Sequence, residues 1–323
     1  MTISRSVNVT VLALCFFFMV SSNSLAQRTV SSNSSKEKSL VLQFPADQSY
    51  GVIIKLDNNW NIQSKKLTGP KFADAKGKVE LPLHEPFMLV PNYNCITHPE
   101  VLTGLPANSF VSLTLDKIEA EDKVMPCIGK LTGLKRLDLN DTEVSDKGLE
   151  ALSSLPNLQV LQLREGSFTG SFLAHCAPLK KLKHLWLNGC KLDTKFLDRY
   201  SSVLPAITVI HLSGDQLKDQ DLLFLEKFPY LEELHLDRNK YITDSGLKYI
   251  LQCKQIGFLN LDNTAVTANG LKALAALKLK TIMVPHHFSK NEFDLVKKAM
   301  KNTVVATGGP VGTDNYQLFA PLH

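Results

Sequence analysis

Trp186, His211 and His235 recur at spacings of 25 and 24 residues, a regularity that would place the three side chains in one column of a repeating fold. His184 stands two residues before Trp186, and Glu233 stands two residues before His235. Imidazoles beside a carboxylate, here Glu233 or Asp237, form a donor set that zinc favours. Histidine also titrates near neutral pH, so such a cluster can make binding pH-sensitive. Tryptophan and arginine are typical anchors of a partner surface, which draws in Arg164 and Phe258 nearby. The spacing has a cheaper explanation, however: any periodic chain aligns equivalent positions, and no short His-x-x-x-His motif supports ligation. The expectation is therefore a partner-facing cluster with no metal and no cofactor. His286-His287 reads as a loop pair on the same grounds.

Catalytic signals are absent from the sequence. It holds no G-x-S-x-G elbow, no Gly-rich phosphate loop and no H-E-x-x-H. Gly308-Gly309-Pro310 is a turn. Asp237 and Asp262 fall in one column, yet a flat sheet rarely excludes water as acid–base chemistry requires. The chain reads as a non-enzyme. The alternatives are a metal-dependent hydrolase built on His211/His235 and a structural envelope protein.

The elements that would position these residues are written in leucines. FVSLTLDKI from Phe110, LKRLDLNDT from Leu134, LQVLQLREG from Leu158, LKHLWLNGC from Leu182, ITVIHLSGD from Ile207, LEELHLDRN from Leu231 and IGFLNLDNT from Ile256 follow one another every 24 or 25 residues. LKTIMVPHH from Leu279 is a degenerate eighth copy. Each fits L-x-x-L-x-L-x-x-N/C, and the chain resembles a leucine-rich-repeat protein. The Ser/Thr-Asp-x-Gly-Leu starts at Ser145, Thr243 and, less fully, Thr267, with cysteines near the helical ends, resemble the cysteine-containing, ribonuclease-inhibitor-like class found in secreted bacterial proteins. The segments at Thr169 and Asp193 lack the glycine of that pattern. The resemblance implies an α/β solenoid, with a parallel concave sheet backed by convex helices, that acts as a protein-interaction scaffold.

Within each repeat, alternate strand residues point into the core and the others point out. The central outward column reads Thr114, Asp138, Gln162, Trp186, His211, His235, Asn260 and Met283. The column before it includes Arg136, Val160, His184, Val209, Glu233 and Phe258. On this reading Trp186, His184, His211, His235, Arg164, Glu233 and Phe258 present a preformed binding surface to solvent.

The rest of the chain fits around the solenoid. Residues 1–26 read as a secretory signal peptide, with Arg5, an apolar run from Val11 to Val20 and Ser24-Leu25-Ala26 as the cleavage site. The expected location is secreted, periplasmic or cell-envelope associated. Residues 27–39 are a Ser-rich linker, 40–108 a small β-rich N-terminal domain that caps the first repeat, 109–307 the solenoid, and 308–323 an irregular tail. Ser289 to Glu292 form a capping box that opens a last helix, and a final strand is expected at Val304–Ala306. The net charge of +5, or +4 without Arg5, is too mild to argue for nucleic acid. Five cysteines remain after cleavage, with no C-x-x-C pair, and read as buried packing residues. The expected partner is a protein, or else a peptide or cell-wall material.

Overall fold

Leu113, Leu115, Leu137, Leu139, Leu161, Leu163, Leu185 and Leu187 are each no more than 1% exposed, and they explain the architecture. Each three-residue strand turns its middle leucine inward, the next inward leucine follows just past the strand's end, and stacking strands in parallel makes their rows continuous. The computed structural model describes residues 38–308 apart from 58–60, 63, 65 and 191. From Ser39 on, the chain forms one compact unit. The signal-peptide reading of 1–26, most of the linker and all but the first residue of the tail lie outside the described residues.

The strands are β1 (Ser39–Gln43), β2 (Gly51–Lys55), β3 (Lys71–Asp74), β4 (Lys78–Pro82) and β5 (Phe87–Pro91). There follow the repeat strands β6 (Ser112–Thr114), β7 (Arg136–Asp138), β8 (Val160–Gln162), β9 (His184–Trp186), β10 (Val209–His211), β11 (Glu233–His235) and β12 (Phe258–Asn260). The last two are β13 (Thr281–Val284) and β14 (Val304–Thr307). β5 to β14 run parallel in chain order, and β2 and β3 extend the same sheet antiparallel beyond β5, giving 12 strands. β1 and β4 form a separate antiparallel pair. Their apolar side chains, Leu42, Val79 and Leu81, share one core with the leucines of the repeats.

The return segments depart from the expectation of a helix in every repeat. Three are wholly 3-10, Gly148–Ser154, Ser171–His175 and Asp219–Lys227, and four others between β6 and β13 join a short α-helical stretch to a 3-10 turn. A 24-residue repeat leaves few residues for the return, and the 3-10 form covers more length per residue than the α form. The longest α-helix among the described residues, Lys290–Ala299, opens with the capping box of Ser289 and Glu292.

Two polar ladders lock successive repeats together. At the strand ends, the Asn239 amide donates to the carbonyls of Leu212 and Leu236, and its Oδ1 accepts from the amides of Asp215 and Leu217. Thr142 and Thr264 bond the carbonyls of Leu139 and Leu261 from equivalent positions. The residue just before this column turns left-handed in most repeats, at Lys117, Asp141, Glu165, Gly189, Gly214, Arg238 and Asn263. On the opposite edge, Asp122 accepts from the amide and hydroxyl of Ser145, Asp219 from those of Thr243, and Asp244 from those of Thr267. Each carboxylate therefore caps the start of the next repeat.

This second ladder explains the spacing of the Ser/Thr-Asp-x-Gly motif. A Cβ on Gly246 would lie 2.6 Å from Asp219 Oδ1, and one on Gly270 would lie 2.0 Å from Asp244 Oδ1. The glycine leaves room for the preceding repeat's carboxylate, while the motif's own aspartate reaches the following repeat. Where Asp146 caps the segment at Thr169, it bonds the amide and hydroxyl of Thr169 and also the amides of Gly170 and Phe172. Gly246→Ala is expected to cost about 1–3 kcal/mol in urea unfolding. Combined with Asp219→Ala, the loss should be smaller than the sum of the single losses, because the two changes act on one contact. Simple additivity would contradict the ladder.

Candidate functional site

Strand register assembles the site. Cross-strand pairing sets Gln162 against Trp186, Trp186 against His211, and His211 against His235. The neighbouring column sets Arg136, Val160, His184, Val209, Glu233 and Phe258 side by side. Both columns lie on the outer face of the sheet, turned away from the leucine core. Parallel strands repeat near 4.8 Å, close to the separation that flat rings prefer.

The rings use that coincidence. Trp186 stacks on His211 with centroids 4.0 Å apart and planes at 22°. His211 stacks on His235 at 3.7 Å and 13°. His235 continues to Phe258 at 4.9 Å and 28°. Four rings thus form one row across β9 to β12. Glu233 Oε1 lies 2.6 Å from His235 Nε2 and 3.7 Å from His211 Nε2. Burial pushes the Glu233 carboxyl up, but the His235 hydrogen bond and the charges of His235 and His184 outweigh it and hold the group below the ordinary carboxylate range.

The expectation of a surface open to solvent is corrected here. Trp186 is 5% exposed, and His184, His211 and His235 are also buried. The rings cover one another face to face along the row, so little of each inner ring reaches solvent. Arg164, Glu233 and Phe258 are half-buried and form the accessible part of the set. Among the described residues, the buried Trp186 Nε1 and Arg164 Nε donors have no hydrogen-bond partner. A buried donor left unmatched costs on the order of 1–3 kcal/mol.

Beside the ring row, the first strands carry a feature that sequence reasoning missed. Arg136 is fully buried, its Nε bonded at 2.9 Å to both oxygens of Asp138 and its Nη1 to the carbonyls of Ile62 and Ser64. Burial raises the Asp138 carboxyl to about 6, against the pull of Arg136. Ile62 and Ser64, between β2 and β3, therefore lie over the outer face at β7, and Leu56, Leu67 and Met88 make a second small core. A signal existed: FMLVP at 87–91 is apolar at every position, as a strand covered on both faces must be. A shallow acidic groove lined by Tyr93, Glu119, Glu121 and Glu143 was also invisible, since its residues are far apart in sequence.

The remaining groups are quiet. The five described cysteines are free. Burial pushes the thiols of Cys95, Cys176, Cys190 and Cys253 up to about 12, which leaves them unreactive. His286 is held by Asp262 through Nδ1 at 2.9 Å. Asp215, on the strand-end ladder, is raised to about 8, burial outweighing the amide of Cys190 that donates to it.

His184 sets the acid response of this face. Burial lowers it from 6.5 to about 4, the Glu233 charge opposing. The unfolded chain takes up this proton near pH 6.5 and the folded chain only near 4, so this contribution is complete above 6.5 and lost as pH falls through that window. Urea midpoints at several pH values should show about 1–3 kcal/mol less acid destabilisation in His184→Asn than in wild type. Equal pH slopes would remove His184 from the account.

Two segments, residues 130–153 and 229–251, match the family model described as Leucine Rich repeat. No curated protein matches the chain. The matched segments carry the returns and strands of two separate repeats, and the register that builds the ring row continues the same pattern through the strands between them. The chain has an α/β repeat-solenoid fold, and two of its segments match leucine-rich repeats.

Proposed function

We propose that this chain is a non-enzymatic scaffold, acting outside the cytoplasm, that binds a protein partner on the outer face of its sheet. Leucine-rich repeats generally mediate protein–protein binding, and their rigid stacking lowers the ordering cost of association. The observation that carries the reading is the continuous row Trp186–His211–His235–Phe258 across four adjacent strands. A row of packed rings has little freedom to lose on binding. Arg164, Glu233 and Phe258 supply its accessible polar and apolar contacts, and Trp186 Nε1 is a buried donor without a partner among the described residues.

The export reading rests on the segment from Arg5 to Ala26. Kinship with the secreted bacterial, ribonuclease-inhibitor-like repeat class rests on the motifs at Ser145 and Thr243. Among the described residues, no helix is long and apolar enough to cross a membrane.

The test is a crosslinking capture from the native extracellular fraction with the mature protein and a folded Glu233→Ala, Phe258→Ala variant. The partner captured by wild type should be depleted at least about 30-fold by the variant, the loss of roughly 2 kcal/mol typical of a binding hot spot. Equal capture by both would move the interface to the convex turns or the N-terminal strands. Recovery only from the cytoplasm, with residues 1–26 still attached, would defeat the export reading.

A further inference from the structure

We propose that His211 Nε2, His235 Nε2 and the Glu233 carboxylate bind one divalent transition-metal ion of the zinc class, with a further coordination position facing solvent past Glu233. The ligand atoms of these three residues lie within 4.8 Å of one another. Tetrahedral bonds of about 2.0–2.1 Å place neighbouring ligand atoms about 3.3 Å apart. The separations of Glu233 Oε1 from the two imidazoles, 2.6 and 3.7 Å, bracket that value.

The backbone explains why the three groups meet. His211 and His235 are direct cross-strand neighbours, and Glu233 precedes His235 by two residues, so all three point from the same face. Two imidazoles and one carboxylate form a donor set that zinc uses where it keeps a position for a non-protein ligand. The surroundings favour coordination. Trp186 packs against His211 and Phe258 against His235, so apolar rings wall both ends of the pair. The His side chains are 9 and 10% exposed, while that of Glu233 is 31% exposed, which defines the direction of entry.

The proton balance is simple. In the metal-free protein the Glu233–His235 contact is a hydrogen bond at 2.6 Å. An ion takes the place of the proton shared there, and that proton moves to Nδ1 or to solvent. Both Nε2 atoms lie within 3.7 Å of Glu233 Oε1, and because the stacked ring planes differ by only 13°, one ring must turn for both nitrogens to meet a single ion. Binding should therefore tighten as pH rises, since the ligands must be deprotonated. The inference stands independently of the partner-binding reading.

The experiment uses tag-free full-length protein stripped with a chelator. Zn²⁺ is titrated by calorimetry and Co²⁺ by visible absorption. Wild type should bind one equivalent at micromolar Kd or tighter, and Co²⁺ should show ligand-field bands of a low-coordinate site. Glu233→Gln and His235→Asn should each weaken binding at least about 30-fold. His286→Ala, which alters the other His–carboxylate pair, should leave it unchanged. Melting curves of the metal-free variants verify folding, and Zn²⁺ should raise the wild-type Tm but not theirs. Wild-type binding weaker than about 100 µM, equal binding by Glu233→Gln and His235→Asn, or loss of binding only in His286→Ala would overturn the proposal.

Discussion

Everything in this molecule depends on the match between a 24- or 25-residue chain period and the spacing of parallel strands. Each repeat must return its chain to a point one strand further along, in register to the residue. The leucine rows drive the stacking through burial, which is not directional. Register comes from the directional groups at the two edges: the strand-end Asn239, which reaches back to the Leu212 carbonyl, and the carboxylates of Asp122, Asp219 and Asp244. A slip of one residue would turn every leucine to the wrong face.

The outer face inherits this precision. Its ring row is a by-product of strand pitch, because equivalent positions on adjacent strands sit near ring-stacking distance. Once Trp186, His211 and His235 occupy consecutive positions of one column, flat packing follows, and the rings shield one another from water. Exposure then falls to Glu233, Phe258 and Arg164 at the margins. The opposite end of the face is closed by a different device, the buried Arg136–Asp138 pair under the carbonyls of Ile62 and Ser64. One sheet therefore carries a sealed polar corner at β7 and a ring-lined row at β9 to β12.

Much of this was legible in the sequence, for a physical reason. Leucines at fixed spacing determine which strand residues point inward, and the outward columns follow without further information. The columns of Trp186, His211 and His235 and of His184 and Glu233 were thus readable from periodicity. Their burial was not, because it depends on each ring being covered on its faces by the rings of neighbouring strands. The short 3-10 returns were read as helices, since Leu149, Leu152 and Leu155 fit a helical stripe and a 3-10 turn equally well at such short length. Asp219 lies outside the Ser/Thr-Asp-x-Gly starts at Ser145 and Thr243, and periodicity alone assigns it no role. Its true partner, Thr243, is one full period away, and only the clash awaiting a Cβ on Gly246 reveals why the motif needs its glycine. The cover over β7 was hidden because its contacts span more than 70 residues of sequence.

The central claim is that the outer face carries a preorganised row of rings before any partner arrives. Nuclear Overhauser contacts among side chains of the isolated protein test it most directly. The account predicts contacts from the Trp186 indole to the His211 ring, and from the His211 ring to the His235 ring, in partner-free solution. Absence of both, in a protein whose leucine core gives normal contacts, would mean that the rings stand apart in solution and that the row is not a built feature of the fold.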